Sequence, residues 1–385
     1  MTDERGAADP AKVLKTALFL QRLGSHGPAI EHLSEVLIAE PYNVKALRAL
    51  LLSRRAVGED EHAQALLERL EAIIPDDTNP PKVRVLALTT AEGLPTPLLR
   101  ALGRHDIRIL ALQIDTLSAN ARLPDHDIFV GLLAFEARYR PLLLHLEEVI
   151  SRAALPAVNR PAALLGSDPS ILPWRLAPLE GLTVARTFHL DRELLESPDF
   201  VVTLASLRLQ FPLLIRPLDE RGARREHVRS AERLEVYLAT ARARRFECAQ
   251  FLDLRCADGR VRCYRMALID QASFPLAFAS AFHWCVDLNA DDAWPQSLEE
   301  EERRFFADPA ASCGAHVLRQ LQAIANCLEI DACTIDFSLN DDAALTVLAV
   351  DASCDWPAAP EGDRASAAML SLLFERVSSV SSGSS

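Results

Sequence analysis

The chain has 385 residues, a formal net charge of −13 and 49% hydrophobic residues, which predicts a globular protein of two or three domains. The negative charge argues against a general nucleic-acid binder, although a local basic cleft is compatible with it. No apolar run approaches the roughly 20 residues of a membrane span, and the polar start "MTDERGAADPAK" is unlike a signal peptide, so we expect a cytoplasmic protein.

Residues 10–75 carry no strand signal and contain an internal repeat. Four pairs of matching residues lie 34 positions apart: Gly24 and Gly58, Ala29 and Ala63, Leu33 and Leu67, and Pro41 and Pro75. This period, with small residues at helix contacts and a closing proline, resembles about two tetratricopeptide repeats. Such repeats would bind a peptide or protein partner; equally, they would cap the next domain or join two copies in a homodimer.

Residues 83–162 alternate apolar runs with helical patterns. "VRVLALTT", "IRILALQID" and "HDIFVGLLAF" predict buried strands, and "YRPLLLHLEEVISRA" predicts an amphipathic helix. This alternation predicts a parallel, doubly wound α/β domain. The loop "TTAEGLPTP" after the first strand has one glycine and no GxGxxG, which argues against a classical dinucleotide-binding dehydrogenase.

Residues 163–376 predict an α+β region with an antiparallel sheet. "FPLLIRP" reads as a strand, and "FECAQFLDLRCADGRVRCYRMALIDQASFPLAFASAF" as a run of strands with a tight "ADGR" turn. A helix, "CGAHVLRQLQAIANCLEI", precedes the hairpin "TIDFSLNDDAALTVLAVDAS" at residues 334–353. The serine-rich end, residues 377–385, is predicted to be a disordered tail.

Charged side chains inside apolar runs are the main chemical signal of the sequence. Asp336 and Asp351 each lie within a predicted strand of the hairpin, where an unpaired charge costs several kcal/mol. They either bind something in a shared cleft or lie at exposed strand ends. The last lysine is Lys82, so any cation chemistry after it must use arginine or histidine. The eight cysteines form no CxxC pair and are expected to be reduced thiols.

Five short segments, taken in order, resemble the ATP-grasp superfamily of carboxylate–amine ligases, in particular a bacterial branch with N-terminal tetratricopeptide repeats. They are "PAVNRP" (156–161), "LEGLTVART" (179–187), "FPLLIRP" (211–217), "CAQFLD" (248–253) and the hairpin "IDF…VDAS". The resemblance implies a pre-ATP-grasp domain at residues 83–162 and an ATP-grasp domain of two subdomains at residues 163–376. It also implies ATP and Mg²⁺ as cofactors and an acyl-phosphate intermediate.

The resemblance assigns a role to each candidate site residue. Asp336 and Asp351 would hold Mg²⁺, with the Ser353 hydroxyl as a third oxygen. Arg175 and Arg216 match the two phosphate-binding lysines, and Arg265 would stabilise charge on the transferred phosphoryl group. Adenine would bind the backbone of the hinge at Phe251, Leu252 and Asp253, with either Asp253 or Glu247 as the acid beside it. His283 and Trp284 would contact substrate, or else pack in the core.

The same segments depart from the superfamily pattern in several places. The phosphate-covering loop, "LDERGARREHV", has Gly222 as its one glycine and places two acids, Asp219 and Glu220, before it, and arginines replace both lysines. Asp351 stands where a glutamate is usual, and Ser353 where an asparagine is usual. Two functions therefore remain open: an ATP- and Mg²⁺-dependent ligase acting on a peptide or an amino-acid-derived metabolite, and a non-catalytic grasp scaffold that binds a protein or peptide partner. A small-molecule kinase would share the ATP site and differ in the acceptor.

Overall fold

The structure of the protein is a computed structural model. It describes residues 10–39, 43–59, 62–63, 66, 83–89, 107–117, 123, 125–153, 155–218, 223–286, 288, 296–354, 356 and 360–382. The chain divides into two compact units. Unit 1 comprises Met1–Leu94 and Asp106–Asp125, and unit 2 comprises Pro95–His105 and His126–Ser385.

Unit 1 begins with three helices that pack on one another: α1 (Pro10–Arg22), α2 (His26–Ala39) and α3 (Val44–Ala56). Two pairs of the predicted repeat share a conformation, because Gly24 and Gly58 both have positive φ and Ala29 and Ala63 are both buried. The two glycines follow the ends of α1 and α3, where glycine adopts the left-handed conformation with little energetic cost. Leu67, Pro41 and Pro75 lie outside the described residues, so the tetratricopeptide assignment stays a prediction.

Unit 1 also contains two strands of the predicted α/β region. They are β1 (Val83–Thr89) and β2 (Ile107–Gln113), which pair in parallel from Val83 opposite Ile107 to Thr89 opposite Gln113. The short 3₁₀ helix Ile114–Thr116 follows β2. β1 is almost entirely buried, as its continuous apolar run predicts for a parallel strand.

Unit 2 opens with a second parallel strand pair and the helix between its strands. They are β3 (Ile128–Gly131), the 3₁₀ helix Ala137–Tyr139, α4 (Arg140–Ala153) and β4 (Ala157–Val158). α4 is the amphipathic helix that the sequence predicts. α5 (Pro161–Gly166) and α6 (Leu172–Arg175) continue the chain.

A four-stranded sheet is the smaller of two sheets formed within residues 182–351. Its order is β6-β9-β7-β8, and every neighbouring pair is antiparallel. The strands are β6 (Thr187–Asp191), β7 (Leu213–Pro217), β8 (Glu226–Val228) and β9 (Arg245–Gln250). The helices of this layer are α7 (Arg192–Leu195), α8 (Phe200–Ser206) and α9 (Ala231–Thr240), and apolar residues of α8 and α9 share one core with the sheet.

A five-stranded sheet of order β11-β10-β12-β13-β5 forms the larger layer. Its strands are β5 (Leu182–Val184), β10 (Val261–Ile269), β11 (Ala272–Ala281), β12 (Ala332–Leu339) and β13 (Leu345–Asp351). The hairpin β12–β13 is antiparallel, as predicted. The "ADGR" turn closes only an isolated bridge between Arg255 and Val261, because β9 and β10 belong to different sheets.

One face of this sheet is covered by helices and forms the largest described core. α10 (Gln296–Ala307), α11 (Pro309–Cys313) and α12 (Ala315–Leu328) precede the hairpin. Val317, Leu321, Ile324 and Leu328 of α12 recur at intervals of three and four residues, so they form one apolar stripe. This stripe packs against one side of the sheet and leaves the other side for polar residues.

The last helix, α13 (Pro360–Ser382), corrects the predicted tail. The sequence predicts disorder from residue 377, whereas the helix continues to Ser382, and residues 383–385 lie outside the described part of the chain. Ala365, Met369 and Leu373 are buried at helical spacing, and serine costs a helix only a few tenths of a kcal/mol more than alanine. Among the described helices, none combines the length and apolar composition that crossing a membrane would require.

Candidate functional site

The two predicted metal-binding carboxylates lie on the same face of the five-stranded sheet. Ile335 and Phe337 of β12 face the helix core, so Thr334, Asp336 and Ser338 face the other way. Asp351 lies directly opposite Thr334 on β13. Asp336 and Asp351 are therefore diagonal neighbours on this polar face.

Asp336 is held by Arg265 of the neighbouring strand. Arg265 lies opposite Asp336, and its Nε and Nη2 donate to the two carboxylate oxygens at 2.7 and 2.8 Å. The side chains are 20% and 18% exposed. A register irregularity follows each residue, between Arg265 and Met266 and between Asp336 and Phe337. Irregularities of this kind re-aim side chains beside functional sites.

The carboxylate of Asp351 is hydrogen-bonded by the backbone two residues further along the chain. Its Oδ1 accepts a 2.7 Å hydrogen bond from the Ser353 backbone N–H. Burial raises the pKa of Asp351, hydrogen bonds from Ser353 partly offset this effect, and the Asp336 charge adds to it. Ser353, predicted to bind a metal ion through its hydroxyl, is a hydrogen-bond donor to the Asp351 carboxylate.

These residues do not fit the magnesium site that the resemblance implies. At a nucleotide site Mg²⁺ prefers octahedral oxygen coordination, in which one or two protein carboxylates join phosphate oxygens and waters. Here both oxygens of Asp336 already accept from Arg265. The described residues contain no group of three His, Cys, Asp or Glu side chains that could hold a metal ion. As they stand in this structure, Asp336 and Asp351 therefore do not form a magnesium site.

Arg216 meets a second arginine at a buried carboxylate in the smaller sheet. Arg216 lies opposite Glu247 and donates to it at 2.8 Å, and Arg225 donates to the same carboxylate at 2.9 and 3.1 Å. Glu247 is 2% exposed, whereas the arginine side chains are 36% and 35% exposed. Burial alone would raise the pKa of Glu247, but the two arginines outweigh it and lower the pKa.

This cluster modifies two sequence predictions. Glu247, one of the two acids proposed for the hinge, lies on β9 and accepts hydrogen bonds from two arginines, and Arg225 is a member of this cluster that the sequence did not single out. A glutamate inside the apolar strand "RFECAQ" is a detectable signal, whereas nothing in "RGARRE" distinguishes Arg225. Residues 219–222 of the predicted phosphate loop lie outside the described part of the chain.

The predicted hinge borders a cavity of about 220 Å³. The residues that line it are Thr183, Leu252, Asp253, Leu254, Arg255, Ser338, Asn340 and Thr346. Ser338 lies opposite Thr346, and Thr346 opposite Thr183. Three hydroxyl-bearing residues therefore lie side by side on the adjacent strands β12, β13 and β5. Ser338 is 1% exposed, and its hydroxyl has no hydrogen-bond partner. A buried polar atom in this position fits a polar ligand in the cavity.

Four aromatic rings gather beside the hinge. The His227 ring stacks on Phe251 with centroids 4.2 Å apart, and Trp284 lies 5.4 Å from His227 and 6.3 Å from Phe251. His283 is adjacent to Trp284, with centroids 5.4 Å apart. Burial and the nearby Arg229 and His283 lower the pKa of His227. The sequence predicted three of these residues for the site and missed His227.

Arg175 and Asp253 have local partners. Arg175 donates a 3.0 Å hydrogen bond to the Cys327 carbonyl near the end of α12. The flanking Leu172 and Leu176 belong to the core on the helix side of the large sheet, so the structure does not bring Arg175 to the face that carries Asp336. At the hinge, Asp253 accepts a 2.8 Å hydrogen bond from Arg255.

Comparisons with known proteins identify the fold. No protein-family profile matches the sequence, and no curated protein is significantly similar to it. The chain is similar to the RimK domain ATP-grasp protein of Sphaerobacter thermophilus, at 16% identity and a TM-score of 0.50, over 75% of this chain and 99% of that chain. It is also similar to D-alanine–D-alanine ligase of Bacillus anthracis, alone and complexed with ATP, at 14% identity over 79% of this chain and 99% of that chain, with TM-scores of 0.47 and 0.46. The first likeness supports the predicted ATP-grasp fold.

Proposed function

We propose that this chain binds ATP in unit 2 and uses it to join a carboxylate to an amine. One observation carries the proposal. The hinge cavity, with its unpartnered Ser338 hydroxyl, opens on the same sheet face as Arg265 and Asp336. Ser338 and Asp336 are two residues apart on one strand, so a nucleotide with its base in the cavity would reach Arg265 with its phosphates.

The reaction we propose has two steps. The γ-phosphoryl group of ATP passes to a carboxylate oxygen, which gives an acyl phosphate and ADP. The amine then attacks the acyl carbon, the amide C–N bond forms, the C–O bond to phosphate breaks, and the amine loses a proton. Both steps move negative charge between oxygens, which positioned cationic donors stabilise.

The arginines supply the cationic groups in this proposal. Arg216 and Arg225 are held side by side by Glu247, and about one third of each side chain remains exposed to meet phosphate. Arg265 is fixed by Asp336 on the large sheet. Arg175 receives no phosphate role, because it binds the Cys327 carbonyl on the helix side.

The substrate class belongs to the same proposal. The aromatic cluster of His227, Phe251, Trp284 and His283 offers a surface for an amino acid or a peptide beside the nucleotide. The helices of unit 1 would bind a peptide or a carrier if they act as repeats.

Phosphate release tests this function. Purified protein with ATP is screened against paired pools of carboxylates and amines, including amino acids and short peptides. We expect phosphate release that needs both pools, with kcat/KM lowered about 100-fold or more in Arg216→Ala. The matched control is Arg245→Ala in the same sheet, whose half-exposed side chain pairs with Asp191. A wild-type protein that binds ATP yet releases no phosphate with any pair would refute the ligase.

A second function has its own supporting observation. The two cationic centres of the site are each paired internally, Arg265 with Asp336 and Arg216 with Glu247. Such pairing also suits a non-catalytic grasp scaffold that binds a protein or peptide partner. In that case ATP raises the Tm without turnover, and a partner is recovered with the wild-type protein.

A further inference from the structure

The polar face of the large sheet carries a guanidinium group, that of Arg265, beside the carboxylate of Asp336. Arg265 contacts both oxygens of Asp336 in a two-pronged pair, at 2.7 and 2.8 Å. The strands place the two residues directly opposite each other, with a register irregularity beside each. The strand register therefore places the two side chains within hydrogen-bond distance of each other.

A divalent cation would compete with this guanidinium for the same oxygens. Arginine stays charged at any relevant pH, and its planar fork matches a carboxylate better than lysine does. Each side chain is only about one fifth exposed, so separating the pair would leave a partly buried carboxylate and a partly buried guanidinium.

We propose that unit 2 binds the polyphosphate of its nucleotide without a divalent cation, and that Arg265, positioned by Asp336, supplies the charge there instead. This inference rests on the proposed nucleotide site. It differs from the metal requirement that the sequence resemblance implies.

Calorimetric titration with a non-hydrolysable ATP analogue tests the inference. Wild type and variants are titrated in EDTA and in excess Mg²⁺ at equal ionic strength. We expect wild type to bind no more tightly with Mg²⁺ than with EDTA. Arg265→Gln should bind about tenfold or more weakly in EDTA, because one charge-assisted contact to phosphate is lost. Mg²⁺ should restore much of this loss, because Asp336 is then free to bind the metal.

The control is the same substitution on the other face of the strand. Arg262 is also paired with carboxylates, those of Asp258 and Glu301, and its side chain is also 20% exposed. Arg262→Gln should leave nucleotide affinity unchanged in both buffers. If Arg265→Gln does not fold, the double variant Arg265→Gln/Asp336→Asn removes both charges together and should show the same weak binding in EDTA.

The outcomes separate this inference from the proposed function. Wild-type binding that is tenfold or more tighter in Mg²⁺ than in EDTA would overturn the inference that Arg265 replaces the divalent cation, but it would still support the proposed ATP site. An absence of nucleotide binding in both buffers would overturn both. As a second readout, electron paramagnetic resonance should detect bound Mn²⁺ in Arg265→Gln and none in wild type; Mn²⁺ bound to wild type would also overturn the inference.

Discussion

Arg216 and Glu247 lie directly opposite each other on β7 and β9, joined by a 2.8 Å hydrogen bond to a carboxylate that is almost fully buried. Arg225, the residue directly before β8, donates to the same carboxylate. One buried acid thus orients two partly exposed guanidinium groups. The arrangement presents two forked donors to an anion while keeping the interior charge paired.

Glu247→Gln should lower the free energy of unfolding by about 2 kcal/mol at pH 7. Removing one partner of a fully buried ion pair costs about 3–5 kcal/mol, and the one-third exposure of both arginines reduces this cost. The folded-state pKa of Glu247 is lowered, so its contribution is present above the unfolded pKa of about 4.3 and is lost as the pH falls through the folded value. Urea titrations at pH 7 and pH 3 would measure the difference.

The control for Glu247 is Asp191→Asn in the same sheet. Asp191 is 72% exposed and pairs with Arg245 at 3.3 Å, so its loss should change stability by less than about 0.5 kcal/mol. Equal effects of the two substitutions would show that the carboxylate of Glu247 does not hold the arginines together.

Asp351→Asn should stabilise the protein at neutral and alkaline pH. Burial raises the folded-state pKa of Asp351 above its unfolded value, so the folded state binds the proton more tightly. Stability is therefore lost as the pH rises from the unfolded pKa through the folded one. Asparagine keeps an oxygen that can accept from the Ser353 N–H without bearing a charge.

The Tm of wild type and Asp351→Asn, followed across the pH range, checks this sign. The variant should have the higher Tm at pH 8, and the two curves should converge below pH 4. A variant that is less stable at pH 8 would mean that the ionised carboxylate is stabilised in the fold. Asp342→Asn, at an exposed position of the β12–β13 turn, is the control and should leave the curve unchanged.

Asn159→Ala should destabilise unit 2 by about 3 kcal/mol. The buried Asn159 amide donates to Gly131 O and Ala332 O, and its Oδ1 accepts from the backbone N–H groups of Asp331 and Ala332. Alanine would leave these buried groups unpaired, at about 1–3 kcal/mol each before relaxation. It would also have to adopt a φ of 52°, where an alanine is strained.

Chemical denaturation of Asn159→Ala measures this loss. Asn340→Ala is the matched control, because the exposed Asn340 also accepts two backbone N–H groups, from Asp342 and Ala344. Water can replace Asn340 in those bonds, so its loss should cost less than about 1 kcal/mol. A similar cost at both positions would contradict the role of Asn159 as the link between β4 and β12.

Thiol titration should separate the cysteines by burial. All eight are free, and Cys285 alone is exposed, whereas Cys256 and Cys327 are half-buried. Burial raises the pKa of four thiols to about 12, those of Cys248, Cys263, Cys313 and Cys333. Because the thiolate is the reactive form, we expect about one fast-reacting group at pH 8 in the native protein and eight after denaturation.

Cys285→Ser should remove the fast phase of that titration, and Cys333→Ser should leave it unchanged. A fast phase that survives in Cys285→Ser would show that a thiol buried in this structure is accessible in solution.

The sequence predicted several of the elements of unit 2. Apolar periodicity identified α4, α12 and the strands of the hairpin, because side-chain spacing follows the geometry of helices and strands. It also predicted that Asp336 and Asp351 share a face, since that relationship depends only on the register of one hairpin.

The partners of the charged side chains required the tertiary structure. Arg265 and Asp336 are 71 residues apart, and Arg216 and Glu247 are 31 apart. Which strands become neighbours decides whether a carboxylate meets an arginine or a metal ion, and periodicity carries no information on that choice. The local pattern thus fixed where charge is buried, while sheet order determined that guanidinium groups compensate it.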